Sequence, residues 1–231
     1  LVVAALGFFL LRQPLALWVK TRKRATTDKV YLWRWIAIYS GLTVLSGAWL
    51  VLAQGLWWLV AMGFLGMVLL LCHLWLVSRR QEMSLVGELM GVAGLALGAP
   101  MAYYAASGHL DRGAAILWLI NFLYFGGTVF YIKLRVRQQP RLPTPERVSE
   151  RLVKAKACLA YQTAALTLMI ALVTLQWAPL LTPLAFVPVT IKMVYGAWRW
   201  QDKRTLSLVR LGVSEIFHAI AFTGLVVLVF R

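Results

Sequence analysis

The sequence predicts an all-α fold: a polytopic transmembrane helix bundle of about eight helices, read as one domain over residues 1–231. Three observations carry this. Hydrophobic residues make up 61% of the chain, at a mean hydropathy of +0.74, where soluble domains run near half apolar. The apolar residues fall in runs of about twenty, the length a helix needs to cross a bilayer. Basic residues gather in every second connection, the mark of a chain that crosses repeatedly.

The runs are read in order. The first covers Leu1 to Val19 and is interrupted by Arg12-Gln13-Pro14. The second covers Trp33 to Ala53 and the third Leu56 to Val77, joined by Gln54-Gly55 in an antiparallel hairpin. The fourth is Leu85 to Ala106, the fifth Gly113 to Ile132, and the sixth Val153 to Leu175. The seventh, Leu180 to Trp198, is loosened by Pro183 and Pro188. The eighth is Leu211 to Phe230. The chain starts inside an apolar run without Met, a charged leader or a cleavage site, so an additional N-terminal helix, a ninth, is expected.

The charges set the orientation. Of 24 Lys and Arg, twenty follow the first, third, fifth and seventh runs, and the opposite connections carry almost only Arg112. Positive residues stay on the cytoplasmic side, so the even number of crossings leaves both ends outside. The net charge of +16 is confined to these loops, which argues against nucleic acid as a partner. Arg22, Lys23, Arg24, Arg79, Arg80, Arg135 and Arg137 are the expected contacts to anionic lipid head groups. Cys72 and Cys158 lie in or beside apolar runs with no metal-ligand spacing and read as small apolar fillers.

Ionisable groups inside a bilayer are costly and mark candidate sites. Here they are Arg12, His73, Glu88, Lys192, Glu215 and His218, with Asn121 as a neutral companion. Counted from the cytoplasmic helix ends, most fall within two or three turns, which suggests a polar cavity open on that side. The ligand-binding set read from this is Glu88, Asn121, Tyr131, Lys192, Glu215 and His218, with no catalytic residue and no metal ligand assigned. Plainer roles stand beside each. Arg12 and Lys192 suit snorkelling to head groups. Glu88 is about one turn from Arg79 and Arg80, and Glu215 and His218 at i, i+3 can satisfy each other. Haem needs facing axial ligands, and two scattered His do not supply them. The stripe Asn121–Tyr131, with Gly126-Gly127, fits close helix packing or a wall for a flat or isoprenoid ligand.

Ser78–Gly108 (SRRQEMSLVGELMGVAGLALGAPMAYYAASG), Leu117–Gln138 (LWLINFLYFGGTVFYIKLRVRQ), LAFVPVTIK and RLGVSEI resemble the YwiC-like family of bacterial membrane proteins. The resemblance implies a multi-pass protein of the bacterial cytoplasmic membrane. It brings no molecular activity with it. Members begin with a helix carrying a His-Gly-Ala-Trp type motif, which this chain does not contain.

The topology is also similar to that of UbiA-like intramembrane prenyltransferases, whose two long cytoplasmic loops carry aspartate-rich magnesium motifs. The loops here, KTRKRATTDKVYLWR and KLRVRQQPRLPTPERVSER, contain only Asp28 as an aspartate. A hard cation needs several oxygen ligands, so that mismatch argues against metal-dependent prenyl transfer. The expected function is non-catalytic: binding a lipid, quinone or isoprenoid, or serving as an accessory subunit alongside other membrane proteins. A prenyl or lipid transferase is the first alternative. A proton-linked transporter using Glu88 and Glu215 is the second.

Overall fold

The computed structural model describes residues 1–21, 29–142, 144–200 and 207–230. They are predominantly helical, with no strand among the described residues. Among the described residues seven helical segments, one fewer than expected, are long and apolar enough to cross a membrane, and many large apolar side chains face outward. On α2 (Lys29–Gln54) only Leu32 and Val51 are buried, while Trp33, Leu45, Trp49 and Leu52 are exposed. A helix that is apolar all round and unburied has lipid as its solvent. The chain is a multi-pass membrane protein.

It divides into two compact units, residues 1–119 and 120–231. In the first, α1 (Val2–Thr21) runs unbroken through Arg12-Gln13-Pro14. The expected interruption is absent because a membrane helix carries a proline when neighbours satisfy the freed carbonyl. Gly7 lets α1 lie close against α2: a Cβ there would stand 2.7 Å from Thr43 Oγ1 and 3.2 Å from the Tyr39 carbonyl oxygen. Gly55, at φ +69°, turns the chain into α3 (Trp58–Ser78).

The end of α3 is a Schellman motif, with Gln81 N–H donating to the Leu76 carbonyl and Arg80 N–H to the Val77 carbonyl. The left-handed position of that motif is held by Arg80, φ 57°. Ser84 then caps α4 (Leu85–Ala96), its Oγ accepting from Gly87 N–H at 3.1 Å. Gly87 cannot carry a Cβ, which would meet the Glu82 and Gln81 carbonyl oxygens at 2.8 and 2.9 Å. α4 and α5 (Gly98–Ser107) form one span broken at Leu97. Pro100 lacks the N–H that would bond the Ala96 carbonyl.

Asp111 caps α6 (Arg112–Ile132), accepting from the N–H groups of Gly113 and Ala114. The Tyr103 hydroxyl donates to its other oxygen at 2.9 Å. That bond, together with the backbone donors, holds the exposed Asp111 carboxyl below the ordinary aspartate range.

In the second unit, the remainder of α6 passes into a π-helical turn, Lys133–Gln138. A short helix α7 (Val148–Lys154) follows, breaks at Ala155 and restarts as α8 (Lys156–Thr174). The break moves the expected start at Val153. α8 ends in a second Schellman motif, with Gln176 at φ 57° and Trp177 N–H donating to the Leu172 carbonyl.

The seventh expected run is not one helix. It is a 3₁₀ turn, Thr182–Phe186, followed by α9 (Val187–Trp198). Pro183 and Pro188 sit in the opening turns of those two pieces, where a missing N–H costs nothing. α10 (Leu208–Val229) is capped by Ser207, whose Oγ accepts from Arg210 N–H.

The core of this unit is aromatic. Tyr124 stacks on Phe222 at 3.8 Å between ring centroids, and Phe186 meets both edge-on. A Cβ on Gly127 would stand 2.9 Å from Met193 Cε. The aromatic-glycine stripe of α6 therefore serves helix packing.

Candidate functional site

Within the first unit, helices α1 to α5 line an open-sided cavity of about 630 Å³, inside the range of small-molecule sites. Its wall is almost wholly apolar and includes Phe8, Phe9, Leu70, Leu97 and Met101. Glycines make the room. A Cβ on Gly63 or Gly98 would meet nothing within 4 Å, and one on Gly94 only Leu69 at 3.9 Å.

Three polar residues line this cavity, Arg12, Thr43 and His73; the Thr43 hydroxyl donates to the Tyr39 carbonyl of its own helix, which leaves the other two to set the cavity's polarity. Arg12 Nε and Nη2 both lie against His73 Nε2, at 3.1 and 3.0 Å. A guanidinium only donates, so Nε2 accepts and the neutral ring carries its proton on Nδ1. His73 is 4% exposed, and its Nδ1 makes no hydrogen bond. The guanidinium lies over Gly91, where a Cβ would stand 3.6–3.7 Å from its atoms. Nearby, Lys20 Nζ pairs with Glu82 Oε1 at 2.5 Å, tying the end of α1 to the turn after α3.

Within the second unit, three of the expected residues meet. Lys192 Nζ donates to Glu215 Oε2 at 2.7 Å and stands 4.9 Å from the centroid of the Tyr131 ring. The Lys192 side chain is 6% exposed and that of Glu215 15%. Glu215 Oε1 is buried and makes no hydrogen bond. Lys192 thus does not snorkel. Glu215 and His218 do not satisfy each other either, because Glu215 turns to Lys192 and His218 Nδ1 donates to the Ser214 carbonyl at 2.7 Å. The local pair loses because one contact between helices satisfies Lys192 and Glu215 together, while His218 finds its partner in its own helix backbone.

Of the remaining expected site residues, Glu88 sits half-buried in the first turn of α4 and Asn121 half-buried on α6. Arg12 and His73 belong to the first unit, and Lys192, Glu215 and His218 to the second.

The expected head-group residues are placed as follows. Arg22, Lys23 and Arg24 lie outside the described residues, as does Asp28. The Arg79 guanidinium lies 4.8 Å above the Trp75 ring. Arg80 occupies the cap described above, and Arg137 lies in the π-helical turn. Arg135 donates to Gln139 Oε1 and the Arg199 carbonyl, while Gln139 Nε2 donates to the Gly196 carbonyl. Arg151 donates to the Trp198 carbonyl. Part of the basic connection thus satisfies the open carbonyls at the end of α9, where a cation also complements the helix dipole.

No group of three or more His, Cys, Asp or Glu among the described residues is placed to hold a metal ion. The sequence led to a polar cavity, and this apolar one was not read from it, although Arg12 and His73 were singled out. The signal was there in the spacing of Gly91, Gly94 and Gly98 at i, i+3, i+7, which clears one face of α4 and α5.

No curated protein and no solved structure matches this chain. A family model does match, and it covers nearly all of Ser78–Gly108, the first segment that carried the resemblance, while the later three segments lie beyond it. The stretch that builds the cavity, residues 1–103, matches the family model described as YwiC-like protein.

Proposed function

We propose that this protein is a non-catalytic membrane protein that binds a long-chain lipid-like molecule, such as a lipid, quinone or isoprenoid, in the cavity of its first unit. The observation that carries the reading is the cavity: about 630 Å³, apolar along its wall, and built by helices that cross the membrane. An apolar space of that size opening among lipid-facing helices is filled by hydrocarbon in a bilayer. Clustering of basic residues in alternate connections supports a place in the bacterial cytoplasmic membrane with those connections inside.

The test is lipid retention. The full chain is purified in detergent and its bound lipids are extracted and quantified by mass spectrometry. Wild type is expected to retain about one molecule per chain. Gly63→Leu, which fills open space and improves helix propensity, is expected to lower that several-fold while the protein stays folded. A wild type that retains nothing, or a Gly63→Leu variant that retains as much, rules the reading out. The accessory-subunit form of the reading is checked in the same preparation, by whether another membrane protein co-purifies in stoichiometric amount.

A further inference from the structure

The cavity wall carries a charge that no carboxylate balances. Arg12 has five N–H donors and spends two on His73. Among the described residues its only polar partner is that histidine, and Glu82, an acid in the turn after α3, is taken by Lys20. An uncompensated guanidinium inside the hydrocarbon region is costly. Reaching toward the Lys20 end of α1 relieves it only in part. His73 lies five residues before the end of α3 and Gly91 six after the start of α4. Both counts put the guanidinium roughly 8–9 Å inside the helix ends.

From that level the apolar wall runs back along α3 toward Trp58, about 22 Å away at the helix rise. A charge at one end of a long apolar cavity is the complement of an amphiphile whose head is an oxyanion. A carboxyl group taken into such a place is pushed toward its neutral form. A phosphodiester stays ionised and presents two oxygens to the guanidinium fork.

Building on the lipid-binding reading above, we propose that Arg12 and His73 form the head-group site for an anionic phospholipid. The remaining N–H groups of Arg12 donate to the non-bridging phosphate oxygens, and an acyl chain lies along Phe8, Leu70, Leu97 and Met101. His73 is the positioning residue: its Nε2 orients the guanidinium across the cavity.

The experiment is competition on the purified, delipidated full chain, read by native mass spectrometry. The probes are phosphatidylglycerol, diacylglycerol with the same chains, and oleate. Wild type is expected to take phosphatidylglycerol about tenfold over either competitor, the scale of one charge-assisted contact. Arg12→Gln is expected to abolish the preference. Gly91→Leu, which crowds the guanidinium from the opposite helix, gives the same result should Arg12→Gln not fold. His73→Gln keeps an acceptor and is expected to keep the preference, whereas His73→Leu loses it.

Equal binding of phosphatidylglycerol and diacylglycerol by wild type overturns the assignment, as does a preference that survives both Arg12→Gln and Gly91→Leu. Either result leaves the lipid-binding reading standing if Gly63→Leu still reduces total lipid. If Gly63→Leu changes nothing, that reading has failed first.

Discussion

At the residue scale the strongest constraint in the second unit is the pair between Lys192 and Glu215. Both side chains are nearly buried, and the contact is 2.7 Å. Desolvating two charges offsets most of their attraction, so such a pair contributes little net stability, yet removing one partner strands the other. Glu215→Leu alone is therefore expected to cost about 3–5 kcal/mol, read from thermal or denaturant unfolding in detergent. The double change Lys192→Met with Glu215→Leu is expected to return to within about 1 kcal/mol of wild type or to exceed it. If Glu215→Leu unfolds like wild type, water reaches the pair and it is not a constraint. Lys192, Glu215 and Tyr131 were legible in the sequence as costly or amphipathic groups inside apolar runs. Their partnership was not, because a contact between side chains 23 positions apart leaves no periodic trace, whereas the competing pair of Glu215 with His218 is written in the i, i+3 spacing.

At the element scale, the crossing helices were legible because a run of twenty apolar residues has few other uses. The failures sit where proline acts. Pro14 was read as an interruption, and Pro183 and Pro188 as a loosening of one helix. In the structure Pro14 is carried within α1, and the other two mark the 3₁₀ turn and the start of α9. The sequence shows that an N–H is missing but not whether a neighbour satisfies the freed carbonyl. The two Schellman ends were equally hidden, since neither has the expected glycine. Arg80 and Gln176 both hold φ 57°, a conformation that costs an L-residue about 1–2 kcal/mol. Glycine removes that strain but gains unfolded-state entropy worth about 0.4–1 kcal/mol. The strain outweighs the entropy, so Arg80→Gly and Gln176→Gly are each expected to stabilise by about 0.5–1 kcal/mol. Tm is the measurement. A fall in Tm for Gln176→Gly would mean that its side chain contributes more than its backbone costs, and for Arg80→Gly that the guanidinium does.

At the scale of the whole molecule, charge placement carries the orientation and apolar length carries the crossings, and the two come from different residues. The membrane character was legible because it sums over many side chains, whereas a cavity depends on which glycines face each other; the eighth expected crossing, Leu180 to Trp198, is not among the helices long enough to span. α6 separates two connections of opposite composition. Before it lie His109, Leu110 and Asp111, and after it comes the basic stretch from Lys133 to Arg147. One crossing between them places them on opposite sides of the bilayer, and the cytoplasmic preference of Lys and Arg decides which is which. Cysteines introduced at His109 and Glu146, both exposed, are the check, with an impermeant maleimide applied to intact spheroplasts. Cys158 is buried and Cys72 lies on a spanning helix, so neither competes for an aqueous reagent. His109→Cys is expected to label in intact cells and Glu146→Cys only after permeabilisation. The reverse pattern would invert the protein in the membrane. It would also put the Arg12 guanidinium, which lies toward the Lys20 end of α1, in the outer leaflet, against the expectation from the charges. Labelling of both from one side would break the crossing of α6 itself, on which every later helix depends for its direction.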